Sequence, residues 1–153
     1  GLTFNKLESL VSAHPKGLSS PFRYFGSTVR RDFGDAPNNY TYRMILMESL
    51  VAESRNKTRE EQKSIVSNLG CELPKALAVA TQCFLRLIIS SERLHDDHPW
   101  TYTCCEEKIS GRYLKEPSNR CSLFVGGFSP EGLVINAPDV GHISHGIAAA
   151  RSF

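Results

Sequence analysis

Two consecutive helices carry the strongest local signals in the sequence and constrain the fold most. Thr58 and Glu61 have the spacing of a capping box, in which the threonine hydroxyl accepts a hydrogen bond from the Glu61 N–H and the carboxylate reaches back to the Thr58 backbone. Gly70 is expected to end this helix in the left-handed conformation. Pro74 suits the first turn of a second helix, which the apolar spacing extends to about Ser90. Its apolar end indicates that the second helix lies in the core.

The segments before these helices are less strongly marked. Helical spacing of apolar residues predicts a short helix over 2–11. Residues 22–31 are predicted to form a strand with one buried and one wet face, and their mixed aromatic and basic side chains also suit base stacking or a membrane interface. Residues 40–51 fit either a helix or a strand, and the helix is favoured.

The C-terminal third has the pattern of a sheet. Three strands are predicted, at residues 100–109, 121–125 and 133–135. Gly126 and Gly127 indicate a bulge or a close approach of another backbone, and irregular structure is expected from Ala137 onward. The sequence therefore predicts an α+β fold, with N-terminal helices packed on an antiparallel sheet formed mainly by the C-terminal part. The length of 153 residues predicts a single domain over 1–153.

Charge is balanced over the whole chain but uneven along it. The 18 basic and 16 acidic residues argue against a protein that wraps nucleic acid. The first 31 residues nevertheless hold five basic residues and a single acidic one. These five are predicted to bind an anionic membrane or phosphate, and the alternative is an ordinary solvated surface. They are Lys6, Lys16, Arg23, Arg30 and Arg31. No apolar run reaches the roughly 18 residues that a bilayer span needs.

Four of the five histidines lie in two His-x-x-His pairs, His95 with His98 and His142 with His145. Imidazoles three residues apart on a helical turn can converge on zinc, and a zinc-bound water would then be the nucleophile of a metal-dependent hydrolase. The spacing differs from the H-E-x-x-H motif of metalloproteases, and both pairs lie in loop-like segments. Polar loop histidines without a cofactor are therefore favoured, and a zinc site is the alternative.

The five cysteines favour reduced thiols in a cytosolic protein, because their number is odd and no C-x-x-C is present. Cys104 or Cys105 could pair with His98 as a nucleophile, although packed structural thiols are the favoured interpretation. Sequons at Asn39 and Asn56 support the alternative of a secreted glycoprotein that acts as a binding module. The sequence contains neither a nucleophile elbow nor a phosphate-loop motif.

The order of several short segments resembles the core of rhabdovirus matrix proteins. These segments are NYTYR at 39–43, LIISS at 87–91, WTY at 100–102, CE at 105–106 and RYL at 112–114. The similarity spans roughly residues 22–136 in short patches, with 55–74 as an insertion, and the Pro-Pro-x-Tyr motif common in that family does not occur here. The resemblance implies helices on an antiparallel sheet, no enzymatic activity, self-association, and binding to the inner leaflet of a membrane and to the nucleocapsid.

The sequence thus predicts a non-enzymatic structural or interaction protein, which the resemblance extends to a viral matrix protein. The expected partners are other proteins and further copies of the chain, with an anionic membrane surface as an additional target and nucleic acid involved only weakly. The corresponding location is the cytoplasm, the inner face of a membrane or the virion, and the alternative is secretion.

Overall fold

The architecture comes from a computed structural model that describes residues 1–37, 45–46, 50–109, 121–137 and 145–151. The helices in these residues are α1 (Phe4–Ala13), α2 (Ser27–Phe33), α3 (Arg59–Asn68) and α4 (Ala76–Ser90). The strands are β1 (Phe22–Phe25), β2 (Ile45–Leu46), β3 (Tyr102–Ile109), β4 (Cys121–Ser129), β5 (Gly132–Asn136) and β6 (Ala150–Arg151).

The described strands form a four-stranded sheet in the order β1-β5-β4-β3 and a small sheet of β2 and β6. Strands β3, β4 and β5 pair antiparallel, whereas β1 lies parallel to β5. The helices precede residue 91 and three strands of the larger sheet follow residue 101, which confirms the predicted α+β class. The parallel β1–β5 pair makes this sheet mixed, and such a long-range pairing leaves no trace in the local sequence pattern.

Residues 27–31 are helical, so the strand predicted over 22–31 is wrong beyond β1. Helix α2 buries Val29, which is 1% exposed. It also directs Arg30 across β1, where the guanidinium lies 4.4 Å from the centre of the Phe25 ring. The two arginines of α2 occupy its last turn, where positive charge is favourable beside the free carbonyl groups. These tertiary contacts outweigh the alternating pattern.

The pairing of β2 with β6 corrects two further predictions. The helix predicted over 40–51 is wrong at Ile45–Leu46, which is extended and pairs antiparallel with Ala150–Arg151. The remaining residues of that helix up to 49 lie outside the described residues. The tail expected to be irregular from Ala137 contains β6. The two partners are far apart in the chain, so the periodicity of either one does not reveal the pair.

The capping box predicted for α3 is confirmed. Thr58 Oγ1 accepts the Glu61 N–H at 3.3 Å, and the Glu61 carboxylate accepts the Thr58 N–H at 2.6 Å, which lowers the pKa of Glu61. Helix α4 is capped from a distance, because the carboxylate oxygens of Glu107 on β3 accept the Ala76 N–H at 3.0 and 3.1 Å. Burial raises the pKa of Glu107. The first turn of α4 is thus attached to the sheet.

The core lies between α4 and the sheet. The Phe84 ring of α4 contacts those of Phe22 on β1 and Phe128 on β4, with centroids 5.6 and 5.4 Å apart. Helix α1 adds Phe4, whose ring lies 6.3 Å from that of Phe22. Edge-to-face contacts of this kind contribute about 0.5–1.5 kcal/mol each beyond their area burial. They hold β1 and β4 against one helix and leave Arg23 of β1 on the other side of the strand.

Buried hydroxyl groups hold residues 145–151, which we call the C-terminal strap. Ser54 Oγ accepts the Ile147 N–H at 3.0 Å, and Thr103 Oγ1 of β3 accepts the Ala148 N–H at 2.7 Å. Both hydroxyl side chains are fully buried. Each hydroxyl therefore accepts a hydrogen bond from a buried backbone N–H. Leaving such an N–H unpaired lowers the free energy of unfolding by about 1–3 kcal/mol.

We expect Thr103→Val to lower the free energy of unfolding by about 2 kcal/mol, because valine keeps the shape of threonine but leaves the Ala148 N–H unpaired. Thr103→Ser keeps the hydroxyl and is the matched control, with a smaller loss that reflects only the missing methyl group. Urea unfolding followed by circular dichroism measures both variants. Equal stability of the valine and serine variants would show that this hydrogen bond does not hold the strap.

Candidate interaction surface

Two of the five basic residues predicted to form an anion-binding site are engaged in hydrogen-bonded ion pairs. Arg30 Nη1 lies 2.8 Å from a Glu8 carboxylate oxygen, and Arg31 Nε lies 2.7 Å from Asp32 Oδ1. These hydrogen bonds raise the pKa of both arginines and lower that of Asp32. Their charge is thereby balanced locally by carboxylates.

The other three basic residues lie in different surroundings. Lys6 and Lys16 are exposed, and Lys6 Nζ donates to the Gly1 carbonyl at 3.1 Å. Arg23 is half-buried and turns toward an aromatic side chain, as detailed below. The described structure therefore divides the five residues between local ion pairs, exposed lysines and a stacking contact.

The predicted histidine pairs occupy three different environments. His95 is 2% exposed, and neither of its ring nitrogens has a hydrogen-bond partner among the described residues. His98 is exposed, and its Nδ1 lies 2.9 Å from Asp97 Oδ1, which raises the pKa of His98. His145 packs between Tyr102 and Phe124, with ring centroids at 5.0 and 4.7 Å. His142 lies outside the described residues.

A group of potential metal ligands is found at Asp96, Asp97 and His98, whose ligand atoms lie within 4.8 Å of one another. Among the described residues, neither His95 nor His145 belongs to such a group. The described part of the chain therefore does not assemble the histidine cluster that the zinc interpretation requires. The remaining group is a surface turn, and His98 contacts Asp97 directly.

Burial lowers the pKa of His95 from 6.5 to about 4. Since the pKa is lower in the folded state, the unfolded chain binds more protons in this window, and stability present above pH 6.5 is lost as the pH falls toward 4. At 1.36 kcal/mol per unit, the loss is about 3 kcal/mol.

We therefore expect acid to lower the free energy of unfolding of His95→Asn by about 3 kcal/mol less than that of the wild type. Asparagine tolerates the left-handed backbone at this position. Urea unfolding at neutral pH and near pH 4 provides the comparison, with His14→Asn, a change at an exposed histidine of the described chain, as the control. A wild-type slope retained in His95→Asn would contradict the assignment.

Three of the described cysteines, Cys83, Cys104 and Cys105, have surroundings that disfavour the thiolate form. Cys83, Cys104 and Cys105 are free thiols, and Cys104 is the partly exposed one of the three. Burial raises the pKa of Cys104 to about 11, and it raises the pKa of Cys83 and Cys105 strongly. These three thiols are protonated at neutral pH, which favours packed structural cysteines over a nucleophile paired with His98.

Of the two sequons, the one at Asn56 lies among the described residues. Asn56 is exposed in a left-handed turn, with a φ of 58°, just before α3. The hydroxyl of Thr58, the third residue of that sequon, is occupied by the capping box. Asn39 lies outside the described residues.

Trp100, the single tryptophan of the chain, is 52% exposed even though two side chains contact it. The guanidinium carbon of Arg23 lies 4.8 Å from the centre of the indole. The Tyr102 ring is nearly parallel to the indole, at 6° and a centroid distance of 6.0 Å. We call these three residues the Trp100 surface. Cation–π and stacking contacts hold the indole while much of it faces solvent.

Two glycines of β4 allow the aromatic residues to lie close to the sheet. A Cβ atom at Gly126, where φ is 157°, would lie 2.1 Å from the Thr101 carbonyl oxygen. A Cβ atom at Gly127, where φ is 55°, would lie 2.6 Å from the Tyr102 hydroxyl and 3.0 Å from the indole. The close approach predicted from this glycine pair is thus confirmed, and glycine is required at both positions.

Backbone hydrogen bonds attach the turn that carries Trp100 to β4. The Phe128 N–H donates to the His95 carbonyl and the Gly127 N–H donates to the Thr101 carbonyl, both at 2.9 Å. Within the turn, the Thr101 N–H donates to the Asp96 carbonyl at 2.9 Å. The turn is therefore fixed at both ends.

Arg23 reaches the indole from the far edge of the sheet. Its Nη1 donates to Ser129 Oγ at 3.3 Å and lies 4.0 Å from Asp97 Oδ2. The predicted basic residue therefore supports an aromatic side chain and is balanced by a carboxylate. Below the surface, Tyr102 packs edge-on against Phe124, with centroids 5.1 Å apart, and burial raises the pKa of Tyr102.

Trp100 and Tyr102 are the site residues that the sequence analysis missed as a binding surface. Their positions two residues apart place them on one face of an extended segment, and Trp100 follows a polar loop. The sequence signal for this surface was a single tryptophan just before a predicted strand, combined with a glycine pair in another strand. The contact with Arg23 could not be read from the sequence, because it links residues far apart in the chain.

Comparisons of the chain with protein-family models, with curated proteins and with solved structures found no match. Within the described residues, none of the helices has both the length and the apolar character needed to cross a bilayer. The interpretation of the surface therefore rests on its own geometry.

Proposed function

We propose that the protein is a non-enzymatic interaction protein that binds a protein partner through the Trp100 surface. The observation that carries this proposal is the exposure of Trp100, because a large aromatic ring is held in place by Arg23 and Tyr102 and still presents about half of its area to solvent. Isolated exposed apolar residues are common on protein surfaces, whereas Trp100 is held in place by two neighbouring side chains.

The residue types support a protein partner. Tryptophan, tyrosine and arginine are the side chains most enriched among the residues that dominate binding energy at protein interfaces. Each combines a large apolar area with a polar group that can be hydrogen-bonded. Because Trp100 is already immobilised by its neighbours, binding would lose little additional side-chain entropy.

The shape of the region also favours a macromolecular partner. Small-molecule sites are usually concave and enclose most of the ligand. A cavity of about 230 Å³ is lined by Tyr24, Asn136 and the start of α2, and the Trp100 surface takes no part in it. An exposed ring beside a surface turn is better suited to a partner that covers it from outside.

The chemistry of the thiols supports binding rather than covalent catalysis. Cys83, Cys104 and Cys105 are held as protonated thiols by their raised pKa values. A cysteine nucleophile needs the opposite environment, in which a nearby positive charge lowers the pKa.

The resemblance to matrix proteins extends the proposal to self-association, to the inner face of a membrane and to a nucleocapsid. Within this extended form, Lys6 and Lys16 would contact anionic lipid, because they are the two of the five predicted basic residues that have no carboxylate partner among the described residues. At about 1 kcal/mol for each basic residue near such a membrane, two lysines support weak and salt-sensitive attachment. The Trp100 surface is the better supported part of the proposal.

Selection from a random peptide library displayed on phage tests the proposal, because the method requires no identified partner. Peptides selected on the wild-type protein are expected to bind Trp100→Ala at least tenfold more weakly, because loss of a central aromatic anchor costs more than about 1.4 kcal/mol. Fluorescence anisotropy of labelled peptides measures the affinities.

Tyr24→Ala is the matched control, since Tyr24 is an exposed aromatic residue of similar accessibility, 51% against 52% for Trp100. It is expected to bind the selected peptides like the wild type. Circular dichroism establishes that both variants are folded. Selected peptides that bind Trp100→Ala as tightly as the wild type would refute the assignment of the surface.

A further inference from the structure

We infer that the Trp100 surface receives a positively charged side chain, a lysine or arginine in an exposed segment of a separate partner protein. This inference rests on the proposed function and specifies the chemistry of the partner. The cation would lie against the exposed part of the indole and form an ion pair with Asp96, the exposed carboxylate of the adjoining turn.

The chain already contains one example of the interaction. Arg23 lies 4.8 Å from the indole centre and 4.0 Å from the Asp97 carboxylate, so one cation is shared between an aromatic ring and an acid. Cation–π contacts with tryptophan are the strongest among the aromatic side chains, contributing about 0.5–1 kcal/mol at exposed sites and about 2 when desolvated. The indole therefore accepts a guanidinium in this environment.

The second acidic residue of the turn is available to a partner. Asp96 is exposed, and in the described part of the chain it forms no ion pair with a lysine or arginine. One of its carboxylate oxygens accepts the Asp97 N–H at 2.6 Å, which fixes the side chain in the turn. Arg55, a cation that contacts the same turn, donates to the Thr101 hydroxyl at 3.5 Å.

The chemistry of the indole and of Asp96 favours one class of side chain. A lysine or arginine can place its apolar stem along the indole and its charged head beside Asp96, so a single residue satisfies both groups. An acidic or phosphate-bearing partner would face the uncompensated carboxylate of Asp96, while the charges of Arg23 and Asp97 balance each other. Charge complementarity therefore favours a basic segment over nucleic acid.

The test uses a fluorescein-labelled decapeptide of Gly and Ser with two central arginines, compared with the same peptide containing citrulline, which keeps the planar group but lacks the charge. The arginine peptide is expected to bind the wild type and to change the fluorescence of the single tryptophan. The citrulline peptide is expected to bind at least tenfold more weakly.

Asp96→Asn removes the charge but keeps an oxygen for the Asp97 N–H, and it should weaken binding of the arginine peptide about tenfold at low salt. Glu131→Gln, which alters an exposed carboxylate of the β4–β5 turn, is the control and should bind like the wild type. Equal binding of the two peptides, or wild-type affinity in Asp96→Asn, would overturn the inference.

Two results separate this inference from the proposed function. Selected phage peptides that depend on Trp100 but contain no lysine or arginine would overturn the inference and leave the proposed function intact. Concentration-dependent self-association that Asp96→Asn abolishes, measured by sedimentation, would identify a second copy as the occupant and would overturn a separate partner.

Discussion

The close approach of the Thr101–Tyr102 backbone to β4 is the constraint on which the rest of the surface depends. A side chain at Gly126 would occupy the position of the Thr101 carbonyl oxygen, and one at Gly127 would collide with Tyr102. Because both positions are glycine, the Thr101 carbonyl accepts the Gly127 N–H and the turn ahead of β3 lies against the sheet. The indole of Trp100 is thereby held beside the sheet while about half of the residue remains exposed to solvent.

Contacts from both ends of the chain stabilise this arrangement. On one side, β1 is added parallel to β5 and brings Arg23 to the indole. On the other side, the C-terminal strap donates the Ala148 N–H to Thr103 of β3 and places His145 against Tyr102. The residues that the proposal relies on are thus supported by buried hydrogen bonds and aromatic packing, so the surface is preorganised and a partner need not order it.

The predictable parts of the fold are those that depend on residues close together in the sequence. The T-x-x-E box of α3 and the apolar face of α4 each combine signals that lie close together in the chain. The parts that were not predictable depend on distant partners. Arg30 of α2 contacts Glu8 and Phe25, which lie in other elements, and α4 is capped by a carboxylate from β3. The same applies to the site, since Arg23 meets Trp100 only through the sheet order.

The accessibility of Trp100 in the free protein and in a complex tests the central claim most directly, because the chain has no other tryptophan. Acrylamide quenching of its fluorescence should be substantial in the free, folded protein, in line with an indole that is 52% exposed. It should fall sharply when a selected peptide is bound. Quenching that is negligible in the free protein, or that does not change in the complex, would contradict the claim that this tryptophan forms the binding surface.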